Sequence, residues 1–140
     1  MTNATAAPAV IQRWHAFIDA DLADGGASRT DQLHDMLADD VVFLSPAIFS
    51  PQEGRAKTAM YLEAAAKLFS GTDFHYVGEW YGERSAVLEF AATIDGKYVN
   101  GVDMIAWGDD ELITSFKVMV RPFQGLQSVM GKMAALLSPN

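Results

Sequence analysis

The chain has 140 residues, 50% of them hydrophobic and 20% charged, with a net charge of −8. That size and balance fit one domain with one core, and the acid excess argues against nucleic acid or anionic membrane as a partner, since both require a basic surface. No cysteine is present, which excludes disulfides, thiolate metal sites and thiol nucleophiles and fits a cytoplasmic, reducing setting.

The opening stretch MTNATAAPAV lacks the basic region and apolar core of a secretory signal, and no apolar run reaches the ~18 residues that span a membrane. Residues 1–7 read as a flexible lead and 8–137 as a single domain. In PAVIQRWHAFIDADLA (8–23), Pro8 suits a first helical turn, Val10, Ile11, Trp14, Phe17, Ile18 and Leu22 recur at helical spacing, and Gly25 and Gly26 supply a stop. A shorter helix follows in SRTDQLHDMLADD, with Thr30 as N-cap and Leu33, Met36 and Leu37 as its buried side. DVVFLSP (40–46) reads as a strand stopped by Pro46, and the alanine-rich RAKTAMYLEAAAKLF (55–69) as a helix.

The second half changes character. Four β-like segments, 73–81, 85–94, 97–107 and 112–121, are separated by turn chemistry, with Asp95-Gly96 a strong hairpin signal. Short loops between long strands predict an antiparallel meander that twists and curls. Gly78 and Gly101, inside strands, are candidate bulges. FQGLQSVMGKMAALL (123–137) closes the chain as a helix. The order predicts an α+β fold, helices on one face of a curved antiparallel sheet, forming a cone whose mouth encloses a pocket for a small apolar molecule.

The element order, together with LHDMLADDVVFLSP (33–46), VLEF (87–90), GVDMIAW (101–107) and ITSFKVMVRP (113–122), resembles the nuclear transport factor 2-like (NTF2-like) superfamily and its SnoaL-like group. The resemblance implies the cone fold and a homodimer packed through the outer faces of the sheets. It does not fix a reaction, because the superfamily contains isomerases, epoxide hydrolases, cyclases, dehydratases and members without activity. In the resembling enzymes an acid on this late strand transfers protons, and that role carries over to Asp103. The epoxide hydrolases place arginine two residues before the aspartate and a second acid on a later strand; this chain has Gly101 and Lys117 there, which disfavours that chemistry. The steroid isomerases use a tyrosine donor where this chain has Trp14, with Tyr61 and Tyr76 as substitutes.

Alternation along the strands groups one mid-strand charge per strand, Glu89, Asp103 and Lys117. If strand middles align, all three share a face; a bulge at Gly101 would break that arrangement. One reading is a structural ion pair of Lys117 with Asp103 or Glu89. The other is a pocket in which Asp103 and Glu89 perform acid–base chemistry, tuned by Lys117, since burial in an apolar cavity raises a carboxyl pKa. Trp14, Phe43, Tyr61, Trp80 and Lys117 are the candidate ligand-binding residues. His15 and His34 read as surface residues, and His75, which starts the meander, as a less favoured pocket candidate. The three histidines lack metal-ligand spacing and no cofactor motif is present, so the chemistry is expected from side chains alone. The function expected is isomerisation, dehydration or cyclisation of an apolar carbonyl compound by proton transfer. The alternative is a non-catalytic protein that holds a ligand or assembles with a copy of itself.

Overall fold

The computed structural model describes residues 6–24 and 29–137. Helix α1 (Ala9–Asp24) starts just after Pro8, whose carbonyl accepts from the Gln12 N–H at 2.9 Å. Its apolar stripe, Val10, Ile11, Trp14, Phe17 and Ile18, is buried. The glycine stop at 25 and 26 lies outside the described residues. Helix α2 (Thr30–Met36) buries Leu33 and Met36. Thr30 does not cap it: the threonine hydroxyl donates to Glu63 at 3.0 Å instead, and the residue preceding the helix is Arg29.

Strand β1 (Leu37–Leu44) begins earlier than the sequence pattern predicts and takes Leu37 from the helix. The two-residue strand β2 (Gln52–Glu53), absent from the sequence reading, pairs with it. Helix α3 (Arg55–Phe69) precedes the meander β3 (His75–Tyr81), β4 (Ser85–Ile94), β5 (Lys97–Trp107) and β6 (Ile113–Arg121), and α4 (Phe123–Leu137) ends the described chain. The sheet order is β2-β1-β6-β5-β4-β3. Neighbours run antiparallel except β1 and β6, which run parallel. The result is the expected α+β cone: a curved, unclosed sheet with helices against its inner face. Apolar residues of α1, α2, α3 and β1 pack with Leu88, Ile105 and Phe116; Val129 of α4 packs with Phe69, Phe90 and Val99. Among the described residues no helix is long and apolar enough to cross a membrane.

Register decides which side chains face inward. Asp95 and Gly96 both adopt positive φ, 53° and 78°, the conformation of a two-residue hairpin turn matched to strand twist. The turn closes Ile94 on Lys97, and the pairing then runs unbroken to Ser85 and Ala106. Leu88 therefore faces Asp103, and Asp103 faces Val118. Glu89 pairs with Val102 and Lys117 with Met104, so both point from the opposite, outer face. The shared face predicted for Glu89, Asp103 and Lys117 is thus corrected. Paired residues across a sheet point the same way, and a turn that matches odd with even numbers places Asp103 alone inside.

Gly101 is not the bulge. It pairs in register with Phe90 and Val120. A Cβ there would lie 2.5 Å from both the Met119 carbonyl and Phe90 Cζ, so glycine is required for the Phe90 ring to lie on the strand. The slips fall between Leu37 and Val42 of β1 against β6, between Ala106 and Trp107 of β5 against β6, and, at the other candidate glycine, between Tyr76 and Gly78 against β4.

Candidate active site

Asp103 sits mid-strand on the inner face of β5 and is 6% exposed. The Tyr76 hydroxyl, from β3, donates to Asp103 Oδ2 at 2.6 Å, and Trp14 Nε1, from α1, donates to that hydroxyl oxygen at 2.8 Å. The tyrosine proton is committed to the acid, and the indole N–H fixes the tyrosine. Asp103 Oδ1 accepts no hydrogen bond among the described residues. Burial pushes the Asp103 carboxyl up from 3.8 to about 7, while the Tyr76 hydrogen bond pulls it down. Burial, and then the charge of Asp103, raise the Tyr76 phenol well above its ordinary value. Desolvation penalises the charged form of each group. A carboxyl that titrates near neutrality is populated as both acid and base, which suits proton transfer.

Among the described residues, Asp103 is the only carboxylate in the wall of an inner cavity of about 50 Å³, alongside Trp14, Phe43, Phe69, Phe90 and Phe116. An outer apolar cavity of about 260 Å³ lies between the 45–48 loop, Tyr61 and the α4 side chains Val129, Met130 and Met133. Phe43, Ala65, Phe69 and Val118 belong to both walls. Phe43 stacks on Tyr61, with ring centroids 5.4 Å apart, and Trp14 meets Phe116 edge-on at 4.9 Å. The geometry suits a molecule with an apolar body in the outer space and one polar group at Asp103.

No protein-family model matches the sequence, and no curated protein matches it. Among solved structures, a steroid delta-isomerase from Pseudomonas aeruginosa is 33% identical, superposes with a TM-score of 0.83, and is matched over 93% of this chain and 90% of its own. An NTF2-like protein of unknown function from Mesorhizobium loti shares the fold at 20% identity and a TM-score of 0.64, over 81% of this chain and 91% of its own. The chain belongs to the nuclear transport factor 2-like superfamily. An uncharacterized bacterial protein with a cystatin-like fold from Silicibacter pomeroyi is 27% identical, with a TM-score of 0.76, over 91% of this chain and 84% of its own.

In this nuclear transport factor 2-like chain, three of the predicted ligand-binding residues, Trp14, Phe43 and Tyr61, line the cavities. Two do not. Trp80 is 58% exposed and pairs with Val87 on the outer face, and Lys117 is on that face as well. Glu89, predicted as a second acid, accepts instead from Asn100 Nδ2 at 3.0 Å on the outer face. His75 is exposed, its Nδ1 2.8 Å from the Asp73 carbonyl, and lines neither apolar cavity. His15 is more than a surface residue: it pairs with Glu79 and its ring meets Tyr76 edge-on. Sequence reasoning named Tyr76 only as a substitute donor. Its placement follows from pairing with Phe90, two residues from Leu88 and hence on the Asp103 face.

Proposed function

We propose that this protein catalyses proton transfer on a small apolar carbonyl compound, as an isomerase, with Asp103 as the general acid/base. The observation that carries the reading is the buried Asp103 carboxyl, about 7 in pKa, held by Tyr76, itself fixed by Trp14, in the wall of an otherwise apolar cavity. The 33% identity to a steroid delta-isomerase supports the reaction class. In the ionised form, Oδ1 takes a proton from the carbon beside the substrate carbonyl. The C–H electron pair delocalises onto the carbonyl oxygen, and the same carboxyl returns the proton at the conjugated carbon. The double bond moves, Asp103 is regenerated, and no external reductant or oxidant enters. Tyr76 keeps Oδ2 occupied and so directs the exchange to Oδ1.

The test is turnover of a cyclic β,γ-unsaturated ketone, followed by the absorbance of the conjugated product, in the wild type and in Asp103→Asn. The expected result is a folded variant that binds the ketone but has lost turnover. A variant that turns over at the wild-type rate overturns the reading. The competing reading is a protein that only holds its ligand; it is favoured by the single carboxylate that the described residues place in the inner cavity wall. Binding without turnover in the wild type, across ketones that fit the cavities, would select it.

We also propose that the outer face of the meander pairs two copies of the chain. Val77, Trp80 and Met119 are 51%, 58% and 51% exposed on the meander. Apolar side chains exposed together mark an interaction site more often than a solvated surface. Sedimentation should give a dimer for the wild type and a monomer for Trp80→Glu. A monomeric wild type refutes the pairing.

A further inference from the structure

We propose that His15 and Glu79 are positioning residues that hold Tyr76 in the orientation from which it donates to Asp103. Consecutive residues of α1 take the two ends of the tyrosine. Trp14 binds its hydroxyl oxygen, and the His15 ring packs edge-on against its ring, with centroids 5.2 Å apart and planes at 80°. His15 is held in turn: its Nε2 lies 2.7 Å from Glu79 Oε2, and the Tyr81 hydroxyl donates to Glu79 Oε1 at 2.6 Å. Both oxygens of Glu79 are thereby occupied.

The backbone is shaped for this contact. Residues three apart on a regular strand point to opposite faces, so Tyr76 and Glu79 should diverge. The slip in pairing between Tyr76 and Gly78 puts Tyr76 opposite Phe90 and Glu79 opposite Leu88, both on the inner face. Bulges that re-aim a side chain recur beside active sites. Here the bulge brings Glu79 to the side of the sheet that α1 covers, where it anchors the histidine against the tyrosine.

A partly exposed histidine–carboxylate contact contributes little to stability, so a purely structural brace and a positioning device make different predictions. The titratable groups that bear on Tyr76 are Asp103, Glu79 and His15. The experiment is a carbon-13 NMR titration of the Asp103 carboxyl in full-length wild type, His15→Ala, Glu79→Ala and Tyr76→Phe, assigned with Asp103→Asn. A loosened Tyr76 no longer lowers the carboxyl midpoint, so His15→Ala and Glu79→Ala should each raise it by about half a pH unit or more, roughly a threefold change in the protonation equilibrium. The rise should be in the same direction as for Tyr76→Phe, with melting temperatures close to wild type. Glu79→Ala is the decisive variant. If the pair acted only through its charge, removing a negative group would lower the midpoint; a fall, or no movement in either variant, overturns the proposal. The consequence for turnover rests on the acid–base role proposed for Asp103. The titration does not, so failure of one is distinguishable from failure of the other.

Discussion

Asp103→Asn tests the burial of the carboxyl without any substrate. The folded protein holds this group near 7, against an ordinary 3.8, so the fold binds the proton more tightly than the unfolded chain does. Below about pH 4 the acid is protonated in both states. Between 4 and 7 the folded state keeps a proton that the unfolded state has released. Stability therefore falls as pH rises, by about 1.4 kcal/mol per pH unit, and levels off above 7. The whole gap corresponds to about 4 kcal/mol, a large share of the ~5–15 kcal/mol that holds a domain of this size folded. Asparagine keeps an oxygen for the Tyr76 hydroxyl but does not ionise. Urea unfolding of both proteins from pH 4 to pH 9 isolates the effect, because every other group cancels in the difference. The variant should gain about 4 kcal/mol on the wild type across that range, on top of a constant offset from its amide. Two curves that stay parallel to within about 1 kcal/mol would refute the desolvated carboxyl.

Tyr76→Phe removes the one hydrogen bond on Asp103 and leaves the Trp14 indole N–H without its acceptor. The carboxyl midpoint should rise further, and stability at low pH should fall by about 1–3 kcal/mol, both readable by the titration and unfolding just described. Gly101→Ala forces a methyl against the Met119 carbonyl and the Phe90 ring. It should cost about 1–3 kcal/mol in urea unfolding, and wild-type stability would show that the ring has room to yield. Ala65→Phe fills the wall common to both cavities. Affinity for an apolar fluorescent probe should drop by about tenfold or more, while the Asp103 titration stays in place; unchanged binding would mean that ligands do not use this space.

Most of the architecture was legible because helix and strand periods differ and the second half is cut by recognisable turns. α3 and α4 begin and end where propensity and apolar spacing put them, and β4 and β5 match their predicted bounds. The face assignment failed for a reason also present in the sequence. Aligning strand middles treats register as free, whereas the Asp95-Gly96 turn fixes it: counting outward from Ile94 and Lys97 sets Leu88, not Glu89, against Asp103. One other miss has no such marker. The slip at Ala106 and Trp107 lets Ile113 and Phe116, three residues apart, both reach the core. The slip beside Tyr76 turns Glu79 inward. The second is announced by Gly78, a glycine inside a strand, but which side chain the slip re-aims depends on packing between distant strands.

Why one of three mid-strand charges was informative and two were not follows from solvation. Glu89 and Lys117 are only half-buried on the outer face of the single chain, where a charge costs little and its presence says little. Asp103 occupies a face closed by α1, α3 and the aromatic side chains of β1, β4 and β6, where an ionised carboxylate is expensive. Among the described residues the fold meets that cost only in part, with one tyrosine hydrogen bond, and leaves the acid near neutrality. A structural role would be served at lower cost by asparagine, or by a leucine like the one opposite it. An acid there, with Oδ2 held by Tyr76 and the cavity beside it, is what the proton transfer proposed for Asp103 requires.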